Sequence, residues 1–341
     1  MVRGEAKFVA PDAIKVGDGL LEAEHVVIAT GSRARPLEIP GAELLKSSDD
    51  LLSESELPDS VVFIGGGVIS LEFGHVYARA GVKVTVLEAL PQLLPALDGD
   101  AVALLRQECD RIGIQINTGI RIERIKAAKG KVRLVFANAD GQKSVDAAWA
   151  VNGAGRVANV DQLGLRVAEI DHVGGRIELD RFLRSVSNPH VHVCGDAVAN
   201  SPQLSPIATY EGHIVGRNIA EGPRHTPDYS NVPNAVYTVP ALASLGLTEN
   251  AARQKGRRIK VHTTDMAEWL SARTYAETAA WAKIIVDESS DCIVGAHLVG
   301  HSGEELINIF ALAMAHGLKA GEIKEQIYAY PTFTSDIKNL L

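Results

Sequence analysis

The sequence predicts an α/β fold, and three observations carry that prediction. One complete strand–helix–strand unit surrounds a glycine turn, other strands also end in turns of small residues, and 341 residues suit two or three domains.

The complete unit is "DSVVFIGGGVISLEFGHVYARAGVKVTVLEA", residues 59–89. Val61 to Ile64 form a short continuous apolar run, as expected of a parallel strand buried on both faces, and the run stops at Gly65-Gly66-Gly67. The period then becomes helical: Ile69, Phe73, Val76, Tyr77 and Ala80 share one stripe, and Gly81 stands where a left-handed cap is expected. A second strand, Val82 to Leu87, ends on Glu88. In this context Gly65 makes the tight turn, Gly67 admits a pyrophosphate, and Ser70 fills the small-residue place against the strand. The helix N-terminus offers unpaired N–H groups to phosphate. Glu88 is placed to accept from the adenine ribose hydroxyls, and no Arg or Lys lies between Ala89 and Val102 to receive a 2′-phosphate, so NAD is favoured over NADP.

Before this unit, Val26 to Ala29 read as a strand delivering a Thr-Gly-Ser turn. After it, residues 146–165 give a strand ending in a Gly-Arg turn, and residues 188–222 give a strand from His190 to Cys194, then Gly195-Asp196, then a helix from about Ile207 to Ala220. Ligands on open α/β sheets sit at such carboxyl ends, so Asp196 is expected to be an exposed acceptor.

Composition narrows the classes. Hydrophobic residues make up 46% and charged residues 22%, with a net charge of −8 and no basic cluster. Nucleic acid and membrane are therefore not expected as partners. Cys109, Cys194 and Cys292 have no metal or redox spacing and no secretory signal opens the chain, which fits a cytoplasmic protein whose cysteines are small buried hydrophobes. The eleven histidines form no ligand cluster in sequence; His190, His192, His297 and His301 are expected to be satisfied structural residues, and no metal site is expected.

"ATGS", "IGGGVISLEFG" with "VTVLEA", "GAGRVAN" and "VCGDA", in this order and spacing, resemble the pyridine nucleotide–disulfide oxidoreductases, the FAD enzymes that include lipoamide dehydrogenase, glutathione reductase and mercuric reductase. The resemblance implies two Rossmann-like nucleotide-binding modules, the flavin module incomplete, followed by an α+β dimerisation domain. Its implied boundaries are a remnant of the FAD-binding domain at 1–57, the NAD-binding domain at 58–157, the second part of the FAD-binding domain at 158–230 and the dimerisation domain at 231–341. It places Ala29, Thr30, Gly31, Arg156, Gly195 and Asp196 at the FAD, Gly65, Gly67, Ser70 and Glu88 at the NAD, and Glu72 near the nicotinamide. A homodimer is implied, and the apolar stripe Leu306, Ile309, Phe310, Ala313 and Met314 serves core and subunit interface alike.

Two departures qualify the resemblance. The glycine-rich FAD strand and the C-x-x-x-x-C pair that open the family's sequences have no counterpart, which is expected of a truncated member; an isolated domain or a naturally shortened protein that binds NAD without flavin catalysis are the alternatives. In the tail, the family's thiol-reducing members carry His-Pro-Thr with a glutamate five residues after the histidine, whereas this chain has Tyr330-Pro331-Thr332 and Ser335. Tyrosine, with an ordinary pKa of about 10, is a poor base at neutral pH. Tyr330 is thus either a site-lining residue or interface packing. The function expected is hydride transfer from NADH to FAD and on to a small-molecule acceptor that is not an ordinary disulfide. The relative is dihydrolipoamide-dehydrogenase-like overall, with soluble transhydrogenase and quinone or metal-ion reductase as alternatives.

Overall fold

The computed structural model describes residues 1–341, which form two compact units: residues 1–35 with 156–229, and residues 36–155 with 230–341.

The first unit opens on an antiparallel meander (Ala6–Ala10, Ala13–Val16, Gly19–Glu22). Beside it the strand Val26–Ile28 pairs in parallel with Val191–Val193, and Ser32–Ala34 pairs antiparallel with Arg156–Ala158. Val26, Ile28, Val191 and Val193 point into one core with Leu165, Ala168 and Val215, which fixes the face of the parallel pair. The helix Ser205–Glu221 packs its Ile214–Val215 side on that core, and Pro206 suits its first turn because that N–H has no helical acceptor.

The second unit holds a four-stranded parallel sheet in the order Trp149–Asn152, Ser60–Ile64, Lys83–Leu87, Gln115–Asn117. Its central strand is buried throughout from Val61 to Ile64, consistent with the unbroken apolar run. The helix Val68–Arg79 crosses from the first strand to the next, and Gly81 takes the left-handed conformation (φ 87°) just beyond it. The face buried differs from the expected stripe: Ser70, Leu71, Gly74, His75 and Tyr77 are buried, whereas Val76 and Ala80 are exposed. Gly74 and Ser70 are small enough to bring the helix close to the sheet, so Leu71 reaches the core.

The same unit has a second, antiparallel sheet in the order Asn234–Val236, Ala241–Gly246, Ile293–Gly300, Trp281–Asp287, Ile259–Asp265, covered by the helix Gly303–Ala315. Ile307, Phe310 and Ala313 of that helix are buried, while Leu306, Ile309 and Met314 are half-buried and Leu312 is exposed. Lys283, in the middle of an apolar strand and 5% exposed, is held by Asp98 at 3.0 Å, Asp100 at 2.6 Å and Glu249 at 3.4 Å. Burial alone lowers its pKa, but the hydrogen bonds that its ammonium donates to Asp100 and Asp98 outweigh burial and raise it.

Cys109 and Cys194 are buried as expected, but Cys292 is only half-buried in a loop, its thiol near the carbonyls of Ser290 and Gly317 at 3.7 Å. Cys109 lies 3.2 Å from the His75 ring, and burial pushes its thiol up to about 12, so it is an inert packing group. His297 is hydrogen-bonded to Ser244 and the Leu247 carbonyl, and His190 to the Glu24 carbonyl. His192 departs from the expectation: it is buried with neither ring nitrogen partnered, against His25 at 5.5 Å between centroids.

Candidate functional sites

The glycine turn lies at the carboxyl end of Ser60–Ile64, where the neighbouring strands diverge: Lys83–Leu87 follows on one side and Trp149–Asn152 on the other. Sheets of this type bind ligands at that switch point. Gly65 has φ 98°, and a Cβ there would sit 2.5 Å from the Gly153 carbonyl oxygen, so only glycine closes the turn. Gly67 caps the helix with no side-chain acceptor, and no acidic residue occupies the first turn, which leaves the helical N–H groups to an anion. Ser70 packs against Gly153, its hydroxyl buried without a partner.

Glu88 ends the Lys83–Leu87 strand, buried, and its carboxylate accepts the N–H groups of Gly66 and, at 2.6 Å, Leu90. It therefore ties the glycine turn to the next strand while placing a negative charge at its mouth. Glu72, one helical turn further on, accepts the Tyr237 N–H at 2.8 Å; burial raises its pKa even though that hydrogen bond lowers it. A glycine cradle, an uncapped helix N-terminus and a terminal carboxylate fit a dinucleotide.

The first unit gathers a second polar set. Asp196 sits in a short 3₁₀ turn after Val191–Val193 and is half-buried, not the fully exposed acceptor expected, because Ser32 donates to its Oδ2 at 2.8 Å. Arg156 donates in turn to the Ser32 hydroxyl at 2.8 Å and the Ser32 carbonyl at 2.7 Å. Ala29, Thr30 and Gly31 follow the partner strand, with Gly31 at φ 70° and its carbonyl accepting Asn159 at 2.9 Å. The turn needs Gly195 (φ 67°), since a Cβ there would approach Ala208 Cβ at 3.2 Å. This row of fixed donors and acceptors fits the polar ribityl portion of a flavin. Ser32, which joins Arg156 to Asp196, was missed in sequence although it closes the quoted "ATGS"; only its place in that motif signalled it.

The tail residues do not form a dyad. Tyr330 is 75% exposed, before Pro331 in a cis peptide bond, and Ser335 is buried. Ser335 serves the turn itself: its N–H donates to Thr332 Oγ1 at 3.0 Å and its hydroxyl to the Thr332 carbonyl at 2.6 Å. Asp336 is engaged by the Ser271 hydroxyl.

No group of three or more His, Cys, Asp or Glu side chains is arranged to hold a metal ion, and no helix is long and apolar enough to cross a membrane.

Comparison with known proteins bears on both sets. Residues 1–212 match the family model described as pyridine nucleotide-disulphide oxidoreductase, and residues 232–341 match its dimerisation domain. A dihydrolipoyl dehydrogenase of Rhizobium etli is 30% identical over 99% of this chain and 75% of its own length. One from Bacillus subtilis is 31% identical over 97% and 72%. A glutathione reductase of Burkholderia cepacia is 28% identical over 99% and 74%. Among solved structures, the Cu(II) complex of the HOCl-induced flavoprotein disulfide reductase RclA from Escherichia coli superimposes with a TM-score of 0.91 at 29% identity, covering 99% of this chain and 77% of that one.

Proposed function

The chain belongs to the pyridine nucleotide-disulphide oxidoreductase family, and from that premise we propose that it passes reducing equivalents from NADH through FAD to a small-molecule acceptor that is not an ordinary disulfide. Family members contain FAD and use a nicotinamide dinucleotide. A flavin held in this chain would supply a hydride acceptor for the nicotinamide and a source of electrons for the final acceptor.

The protein's own part is binding and positioning. Gly65, Gly67 and the helix N-terminus receive the dinucleotide pyrophosphate, Ser70 keeps helix and strand close, and Glu88 accepts from the adenine ribose. Glu72 is the carboxylate assigned to the nicotinamide end, its position fixed by the Tyr237 N–H. Ala29, Thr30, Gly31, Arg156, Gly195 and Asp196 hold the flavin, with Ser32 between Arg156 and Asp196. In this reading residues 1–35 and 156–229 are the flavin part, 36–155 the NAD part and 231–341 the dimerisation domain of a homodimer; the expected boundaries shift because Arg156–Ala158 pairs with Ser32–Ala34 and residues 36–57 cluster with the second unit.

The acceptor assignment rests on one observation: Ser335, where dithiol-reducing relatives place a glutamate, is spent within the Thr332 turn, and Tyr330 stands in the histidine's place. A positioned acid/base contributes about 10²- to 10⁴-fold to such a reaction. The test is an acceptor screen with NADH. Turnover of quinone, metal ion or thio-NAD well above lipoamide supports the reading, and lipoamide turnover at a comparable rate contradicts it.

A further inference from the structure

Glu211 is fully buried in the helix Ser205–Glu221, and no step above uses it. Its Oε2 accepts the Gly195 N–H at 2.6 Å and its Oε1 accepts the Tyr229 hydroxyl at 2.5 Å. Both donors are neutral. A carboxylate taken wholly out of water is costly unless its oxygens are satisfied, so a buried Glu held only in this way must be repaid by what it fixes. What it fixes is the backbone of Gly195, the residue whose left-handed conformation turns the chain to present Asp196. Tyr229 completes the arrangement from the end of the first unit. Burial, then the hydrogen bond to Glu211, raises its pKa above the ordinary tyrosine value, so it stays a donor. The charge of Glu211 also adds to burial in raising the pKa of Cys194, the residue before the turn.

We propose that Glu211 is a positioning residue of the flavin-binding turn, a buried strut between the Gly195 N–H and the Tyr229 hydroxyl that holds Asp196 in its presenting geometry. The proposal rests on the flavoprotein reading for its purpose but not for its geometry. Tyr229 is the secondary positioning residue, and the role requires acceptor oxygens at 211, not a charge.

The test uses the full chain with two readouts: amide hydrogen exchange across 191–199, and FAD affinity followed by flavin fluorescence. Glu211→Leu removes both acceptors and is expected to speed exchange at Gly195–Ala197 by about 10-fold, and to weaken FAD binding to a similar extent, while exchange across 281–287 stays unchanged. Glu211→Gln keeps an acceptor for Gly195 and a donor for the Tyr229 oxygen, so it should stay within about 3-fold of wild type on both. If Glu211→Leu does not fold, Tyr229→Phe takes its place, with exchange at Gly195 about 3-fold faster. Exchange at Gly195 unchanged in the leucine variant, or in Tyr229→Phe where the leucine variant does not fold, overturns the proposal; so does equal acceleration throughout the chain. A wild-type chain that takes up no FAD removes the flavoprotein reading, and the exchange measurements still decide the strut.

Discussion

Ser335 and Thr332 cap each other: the Thr332 hydroxyl accepts the Ser335 N–H at 3.0 Å, and the Ser335 hydroxyl returns to the Thr332 carbonyl at 2.6 Å. The carboxylate that would orient a histidine at position 330 therefore has no place without dismantling a turn. Tyr330→His alone is expected to raise lipoamide turnover by less than about 10-fold, far below the contribution of an oriented acid/base. Steady-state kinetics with dihydrolipoamide would decide it, and a gain of 10²-fold or more would show that no orienting partner is needed.

Glu88 accepts two backbone N–H groups and, in the proposed reading, the adenine ribose, so its replacement should show two effects. Glu88→Ala removes acceptors from the Gly66 and Leu90 N–H groups and is expected to cost about 1–3 kcal/mol of stability. It should also narrow the preference for NADH over NADPH by about 10-fold or more, seen in dissociation constants from NADH fluorescence. An unchanged NADH to NADPH ratio would count against ribose recognition at this residue.

Acid should destabilise both units through buried neutral histidines. Burial, then Arg79, lowers His75 to about 4, and burial, then His25, lowers His192 to about 4. Between the ordinary value of 6.5 and about 4, the unfolded chain binds protons that the folded chain refuses, so stability falls as pH drops through that window. The loss is at most about 1.4 kcal/mol per pH unit for each histidine. His192→Gln should flatten the fall in urea midpoint between pH 7 and pH 5; the same slope in variant and wild type would remove His192 from the explanation.

Lys283 is a buried cation surrounded by Asp98, Asp100 and Glu249. Lys283→Ala leaves Asp98 buried and unpaired and is expected to cost about 3–5 kcal/mol in chemical denaturation. The double replacement Lys283→Met with Asp98→Asn should recover part of that loss, because it removes the stranded charge. A single variant as stable as wild type would mean that water reaches Asp98.

What the sequence disclosed follows from how local each signal is. The glycine turn, its strands and Glu88 lie within 31 consecutive residues and each has a backbone reason, so they were legible. The buried face of the Val68–Arg79 helix was not, because Ile69, Phe73 and Val76 offer a second apolar stripe and the choice belongs to the small Ser70 and Gly74. Lys283 read as one polar residue in "WAKIIVD"; its partner Asp98 lies 185 positions away, and no short pattern links them. Glu211 was equally silent, since an acidic residue in a helix is usually solvated.

The pairing of Ala34 with Arg156 brings the two ends of residues 36–155 side by side on adjacent strands. Antiparallel partners stand about 5 Å apart, which a turn of two residues spans. The intervening segment is thus attached like a cassette in a slot. Its length can change without re-threading the strands that carry Asp196, provided that the two-strand stem and the contacts of residues 36–155 with residues 230–341, Asp98 with Lys283 among them, are kept.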